Sequence, residues 1–193
     1  TNNGALPMEK GLGVTVFGRG AVDTIYGGTG SGQVDTSKAA TMTSALTAAG
    51  LNVNTAMMDW YSAQIAQMKE DKTNRSTPGM FTEYADVPAA TRIAEVSADA
   101  VAASGVNLDG YKDAAIVVIG RSGGEGADLY TGEFTDGTSY FELQDSEREL
   151  LKYVASQGFS KTIVLINSSN AMAMDWVNNP EYGVDACLWI GGP

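Results

Sequence analysis

The sequence predicts an α/β protein with a doubly wound, mostly parallel sheet of five or six strands and helices on both faces. Apolar runs without alternating polar residues, at 114–119, 162–166 and 184–190, are typical of strands covered on both faces. These runs and two shorter strands, predicted at 13–18 and 51–54, alternate with segments of helical periodicity. Such alternation favours parallel strands that are joined by crossover helices.

Helices are predicted between the strands, where apolar residues recur three and four positions apart. We expect them at 35–50, at 57–69, at 89–104, from Ser146 to just before Gly158, and as a short segment near 171–177. Ser146 and Glu149 have the spacing of a capping box, which predicts the start of the last long helix. The stretch from Glu70 to Pro88 is polar and contains a Pro-Gly pair, so we expect a surface excursion there.

Length and charge limit the classes of function. The chain has 193 residues, of which 44% are apolar, and we expect a single domain over 1–193. Its formal charge of −11 repels phosphate backbones and anionic lipids, so neither nucleic acid nor a membrane is an expected partner. No apolar run approaches the roughly 18 residues that cross a bilayer, which predicts a soluble protein, cytoplasmic or secreted. The chain begins without methionine and ends directly after a predicted strand, so both ends look like cuts in a longer protein.

Two residue types constrain the chemistry. Cys187 is the single cysteine, so no internal disulfide is possible, and its apolar surroundings predict a buried, inert thiol. The chain contains no histidine, which removes the commonest metal ligand and the commonest general base near neutral pH. Acid and base catalysis would therefore fall to carboxylates, lysine or tyrosine.

The glycine-rich segment GRSGGEGAD, residues 120–128, directly follows a predicted strand and contains two carboxylates. Loops at strand ends are where open α/β sheets build their sites, and glycines let the backbone approach a ligand closely. Glu125 has no neighbouring lysine or histidine that would indicate a surface ion pair. A solvated loop carboxylate remains an alternative for Glu125 and for Asp128.

A second glycine-rich segment, GGTGSG at 27–32, lies between the first strand and the first helix. It lacks the Lys-Ser/Thr pair of a P-loop and the spacing of a dinucleotide fingerprint, so a turn that carries the chain over the sheet edge is the simpler explanation. Residues 167–170 end another strand at the same expected edge, where they either line a cleft or cap a helix. A core position is expected for Met57, Met68, Trp60, Trp176 and Trp189. A position at the surface or in a helix cap is expected for Asp23, Asp136, Asp145 and Glu147.

Taken together, six segments resemble the C-terminal-type α/β sandwich domain of glycoside hydrolase family 3. In order along the chain they are GVTVFG, GGTGSG, GRSGGEGAD, FELQDSERELL, KTIVLINSSNAMAMDW and VDACLWIGGP. The resemblance extends over nearly the whole chain and is loosest between Thr55 and Val106. The ordered set is much more specific than any one of its members.

The resemblance implies a retaining β-glycosidase of the β-glucosidase or β-xylosidase kind. In that family a (β/α)8 barrel supplies the aspartate nucleophile, and this second domain commonly lends the general acid/base. Matched to the family's motifs, Glu125 is the acid/base, Ser31 contacts the sugar, and Asp128 is a possible substrate-binding residue. The chain departs from the pattern at Gly123, where the family usually has serine, and at Leu129, where it often has arginine.

The resemblance also implies that the chain is inactive without the barrel and that it uses no metal and no organic cofactor. The expected partners are a carbohydrate and the barrel of the same polypeptide. A noncatalytic carbohydrate-binding or scaffold domain remains an alternative, and a nucleotide- or flavin-binding module is a weaker one. The sugar, its linkage, the domain order and the choice between hydrolysis and phosphorolysis stay open.

Overall fold

The computed structural model describes residues 1–27, 31, 34–71, 95–121 and 137–192. In these ranges five strands form one sheet, in which every neighbouring pair is parallel. The strands are β1 Gly13–Phe17, β2 Asn52–Val53, β3 Ala114–Arg121, β4 Thr162–Ser168 and β5 Ala186–Trp189, in the spatial order β2-β1-β3-β4-β5. The predicted doubly wound α/β fold is confirmed.

The first residues of the chain run antiparallel to β5 at the edge of this sheet. Asn2 forms a bridge with Ala186, and the N–H of Cys187 donates to the carbonyl of Thr1 at 2.9 Å. The N–H of Asn3 donates to the carbonyl of Asp185 at 2.8 Å. The beginning of the chain and the last strand are therefore hydrogen-bonded neighbours.

Helices cover both faces, because successive side chains of each strand point to opposite sides. The helices in the described ranges are α1 Met42–Ala48, α2 Thr55–Asp71, α3 Ala98–Ala102 and α4 Asp145–Ser156. Val117 and Ile119 of β3 belong to a core with α2, α3 and α4, whereas Ile116 and Val118 belong to a second core that includes side chains of α1.

Two predicted helices are shorter than their apolar periodicity suggests. In 35–50, Asp35 accepts a hydrogen bond from the N–H of Ser37 and caps a single 3-10 turn, and α1 begins only after Thr41, which caps it. In 89–104, α3 begins after Ser97, whose hydroxyl accepts from the N–H of Ala100. Side chains of this kind bind the backbone locally and so set where a helix starts. Residues 89–94 lie outside the described ranges.

The capping box of α4 lies two residues earlier than predicted. Gln144 is the N-cap and Glu147 is the third helical residue, and each side chain accepts from the other's backbone N–H. The predicted pair, Ser146 and Glu149, lies inside the helix. The helical segment expected near 171–177 is a 3-10 turn at Asp175–Asn178.

Two expectations about buried side chains need correction. Trp189, expected in the core, is 47% exposed, because β5 is an edge strand. Cys187 is half-buried rather than buried, and burial still raises the pKa of its thiol, which disfavours the reactive thiolate. In the described part of the chain, no helix combines the length and the apolar character needed to span a membrane.

Candidate functional site

The sheet has its topological switch point between β1 and β3. The connection from β1 leads to β2 on one side, whereas β3 is followed by β4 on the other. In open α/β sheets, ligands bind outside the carboxyl ends of the strands at such a point. The candidate site is therefore built where β1 ends at Phe17 and β3 ends at Arg121.

Gly18 turns the chain from β1 across the end of β3. Its φ is 95°, and a Cβ atom there would lie 2.5 Å from the carbonyl oxygen of Val118. A side chain is excluded by backbone conformation and by space alike. The following residues, Arg19–Ala21, form a buried 3-10 turn on the edge of the sheet.

Asn167 binds the backbone of Ile25, a few residues beyond this turn. Its side-chain oxygen accepts from the N–H of Ile25 at 2.7 Å, and its amide group donates to the carbonyls of Ile25 and Gly191, both at 2.8 Å. Gly192 packs closely beside it: a Cβ there would lie 3.2 Å from the hydroxyl oxygen of Ser169 and 3.5 Å from the backbone nitrogen of Gly27. The segment 18–27 thus carries the chain over the sheet edge to the ends of β4 and β5. Of the glycine-rich stretch 27–32, for which a turn is predicted, the structure describes only residues 27 and 31.

A buried carboxylate lies beneath this segment. The backbone N–H of Arg19 donates to both oxygens of Glu95, at 2.9 and 2.8 Å, and the N–H of Val96 donates to one of them at 2.9 Å. Burial raises the pKa of Glu95 to about 7, although the charge of Arg19 and the hydrogen bond from its backbone act in the opposite direction. The repulsion from Glu147 adds to the increase.

A second buried pair lies at the end of β3. Both terminal nitrogens of Arg121 reach the carboxylate of Glu147 at 2.6 Å, and the two side chains are 1% and 2% exposed. Burial alone would lower the pKa of Arg121, but the charge of Glu147 and its hydrogen bonds raise it above the usual value. The guanidinium also lies 5.7 Å from the centre of the Tyr140 ring.

The residues predicted from the sequence are only partly described. Ser31 is exposed, and Glu125 and Asp128 lie outside the described ranges. Asn167 belongs to the predicted edge, but its side chain holds backbone rather than facing a cleft. Ser168 does not cap a helix; its hydroxyl accepts from the N–H of Asn170 at 3.0 Å.

Sequence reasoning missed the burial of four charged residues in the described part of the chain, Arg19, Glu95, Arg121 and Glu147. One signal was present, because Arg121 comes two positions after the last residue of the apolar run 114–119, where a charge needs a partner. The partner was not predictable, since 26 positions separate Arg121 from Glu147.

Comparison with known proteins identifies the fold family. All of residues 1–193 match the family model described as the glycosyl hydrolase family 3 C-terminal domain. The chain belongs to this family. As a family 3 C-terminal domain it is 30% identical to a β-glucosidase from Ruminococcus albus, over 99% of the chain and 18% of that protein. It is 26% identical to β-glucosidase A from Butyrivibrio fibrisolvens, over 97% of the chain and 23% of that protein.

Solved structures agree with this family 3 assignment. A β-glucosidase from Paenibacillus barengoltzii superposes with a TM-score of 0.69 and 27% identity, over 99% of this chain and 19% of that one. β-Glucosidase 3B from Thermotoga neapolitana, solved in complex with glucose, superposes with a TM-score of 0.67 and 27% identity, over 99% of this chain and 24% of that one. This family 3 domain therefore corresponds to less than a quarter of each of these relatives.

Proposed function

We propose that this domain is part of a retaining β-glycosidase that hydrolyses terminal β-linked sugars together with a barrel domain of the same polypeptide. The match to the family 3 C-terminal domain over the whole chain is the observation that carries the proposal. The named relatives are β-glucosidases, and the chain covers 18% and 23% of the two curated ones. That fraction supports a role as one component of a larger enzyme.

Glu125 is the general acid/base in this proposal. It follows Arg121, the last residue of β3, by four positions in the sequence, and this short separation supports the proposal. Glu125 would protonate the departing oxygen while an aspartate of the barrel attacks the anomeric carbon, and would then take a proton from water. Ser31 and Asp128 would contact the sugar.

This mechanism places two physical requirements on the missing domain. The carboxyl groups of the acid and the nucleophile must lie about 5 to 5.5 Å apart in a retaining enzyme. The barrel and the sugar must also bury Glu125, because desolvation is what raises the pKa of a carboxylic acid enough to keep its proton. Neither requirement can be met by this domain alone, so the isolated chain should not turn over aryl β-glucosides or β-xylosides.

The test is Glu125→Gln in the polypeptide that joins this domain to its barrel. An alkyl β-glucoside needs protonation of its leaving group, whereas a dinitrophenyl β-glucoside does not. Loss of a general acid should therefore lower kcat on the alkyl substrate by about 10² to 10⁴-fold and leave glycosylation by the dinitrophenyl substrate nearly unchanged. Glu149→Gln is the matched control, because Glu149 is exposed and its contact is a surface pair with Lys152.

Azide provides a second readout. In Glu125→Ala, a small anionic nucleophile that needs no base should restore turnover of the dinitrophenyl substrate and release a β-glucosyl azide. A small loss of activity in both variants, with no azide product, would instead favour a carbohydrate-binding or scaffold domain. Nucleotide binding is disfavoured, because the glycine-rich stretch 27–32 lacks the Lys-Ser/Thr pair of a P-loop and the spacing of a dinucleotide fingerprint.

A further inference from the structure

We propose that Arg121, held by Glu147, is the positioning residue for the general acid/base: it joins the two ends of the segment that contains Glu125. The inference rests on the function proposed above and extends it to two residues for which the family resemblance implies no role. Arg121 is the last residue of β3 and the last one described before 122–136. The groups it binds beyond that segment begin at Tyr140.

All five N–H groups of the Arg121 guanidinium have a partner. Two donate to the oxygens of Glu147 at 2.6 Å, and one donates to the carbonyl of Gly120 at 2.9 Å. The other two donate to the carbonyls of Tyr140, at 3.2 Å, and Glu142, at 2.7 Å. One planar group therefore fixes the backbone before the segment to the backbone after it.

Glu147 anchors this arrangement to α4. Besides binding Arg121, its carboxylate accepts from the N–H of Gln144 at 2.9 Å and so completes the capping box of the helix. The orientation of the guanidinium is thereby determined by a helix that packs on the core. A lysine has no planar fork and cannot satisfy these five directions at once.

A buried ion pair is weak evidence for stability, because the cost of removing two charges from water often equals the energy gained from their attraction. Here the ion pair would serve to position Glu125 rather than to stabilise the fold. A general acid acts only within hydrogen-bond distance of the leaving oxygen, and a displacement of about 1 Å costs on the order of 10²-fold in rate. The nucleophile belongs to the barrel, so an error in the position of Glu125 should slow the protonation step selectively.

The experiment introduces Arg121→Met into the complete polypeptide and compares its action on the alkyl and the dinitrophenyl glucoside. We expect kcat on the alkyl glucoside to fall by about 10²-fold and glycosylation by the dinitrophenyl glucoside to change by less than about 3-fold. Arg121→Lys should restore part of the loss. Arg148→Met is the matched control, since Arg148 lies on α4 and makes partly exposed pairs with Glu142 and Asp145.

A double variant tests whether Arg121 acts through Glu125. In the Glu125→Gln background, Arg121→Met should add little further loss on the alkyl substrate, because the group that it positions is already gone. Equal losses on both substrates, or full additivity in the double variant, would overturn the proposal and leave a purely structural pair.

Two outcomes separate this proposal from the one on which it rests. If Glu125→Gln shows no dependence on the leaving group, the proposed function fails, and the positioning role fails with it. If Glu125→Gln shows that dependence and Arg121→Met does not, only the positioning role fails. Should Arg121→Met not fold, as thermal unfolding would reveal, Glu147→Gln must show the same selectivity at smaller amplitude, and its absence refutes the proposal.

Discussion

The carboxyl group of Glu95 combines burial with three backbone hydrogen bonds, and the two act on its charge in opposite ways. The N–H groups of Arg19 and Val96 favour the charged form, as does the arginine's own charge, whereas burial and the nearby Glu147 favour the neutral form. Burial is the largest effect, and it raises the pKa of Glu95 to about 7. The group therefore titrates near neutral pH.

Because the pKa of Glu95 differs between the folded and the unfolded state, the stability of the protein depends on pH. Between its ordinary pKa of 4.5 and about 7, the folded state keeps a proton on Glu95 that the unfolded state has released. The free energy of unfolding should therefore fall as pH rises through this window, by up to about 3 kcal/mol from this group.

Glu95→Gln removes that titration. The free energy of unfolding of the variant minus that of the wild type should be larger at pH 8 than at pH 5. Urea unfolding of both proteins at both pH values measures this difference. A difference between the two proteins that is the same at both pH values would show that Glu95 does not titrate in the folded state. Comparing the two proteins cancels the contributions of the other carboxylates.

At the scale of elements, the strands could be predicted from the sequence, whereas the residues at which the helices start could not. The run 114–119 became β3, Ala114–Arg121, because a continuous apolar segment between glycines and charges has few other ways to be buried. The start of α4 depends on which acidic side chain can reach the N-cap, and a contact with Arg121 decides in favour of Glu147. Contacts between residues distant in sequence leave no local pattern, which is also why the buried charges escaped prediction.

Gly18 connects β1 to the segment that crosses the sheet edge, and its substitution should be costly. Gly18→Ala would combine a backbone conformation that side chains rarely adopt, with φ 95° and ψ 148°, which costs about 1–3 kcal/mol, with an overlap against the carbonyl of Val118 that costs about 1–3 kcal/mol more. Gly105→Ala is the matched control, because its φ is 67° and no atom lies within 4 Å of the added Cβ. Urea unfolding should show the larger loss for Gly18→Ala, and equal losses would mean that the contact with Val118 relaxes freely.

At the scale of the whole molecule, a pair of large apolar side chains remains at the surface of the edge strand. Leu188 is 39% exposed and Trp189 is 47% exposed at the carboxyl end of β5. Because they are neighbours on a strand, they face opposite sides of the sheet, and each leaves apolar surface in water that association would cover. The net charge of −11 opposes it, because molecules of the same charge repel each other.

We therefore predict that the isolated chain self-associates and that added salt strengthens the association, since salt screens the repulsion. Light scattering over a range of protein and salt concentrations measures this directly. Leu188→Ser with Trp189→Ser should reduce the average mass, and Val34→Ser is a control, because Val34 is 51% exposed and lies outside the strand. A strictly monomeric wild type at high concentration and high salt would contradict the prediction.

The hydrogen bonds between Thr1 and Cys187 have a consequence for gene architecture. A folded unit whose two chain ends lie on the same side can be inserted into a larger protein with short linkers, whichever domain of that protein comes first. A circular permutant with a short bridge from Gly192 back to Thr1 is geometrically accessible for the same reason.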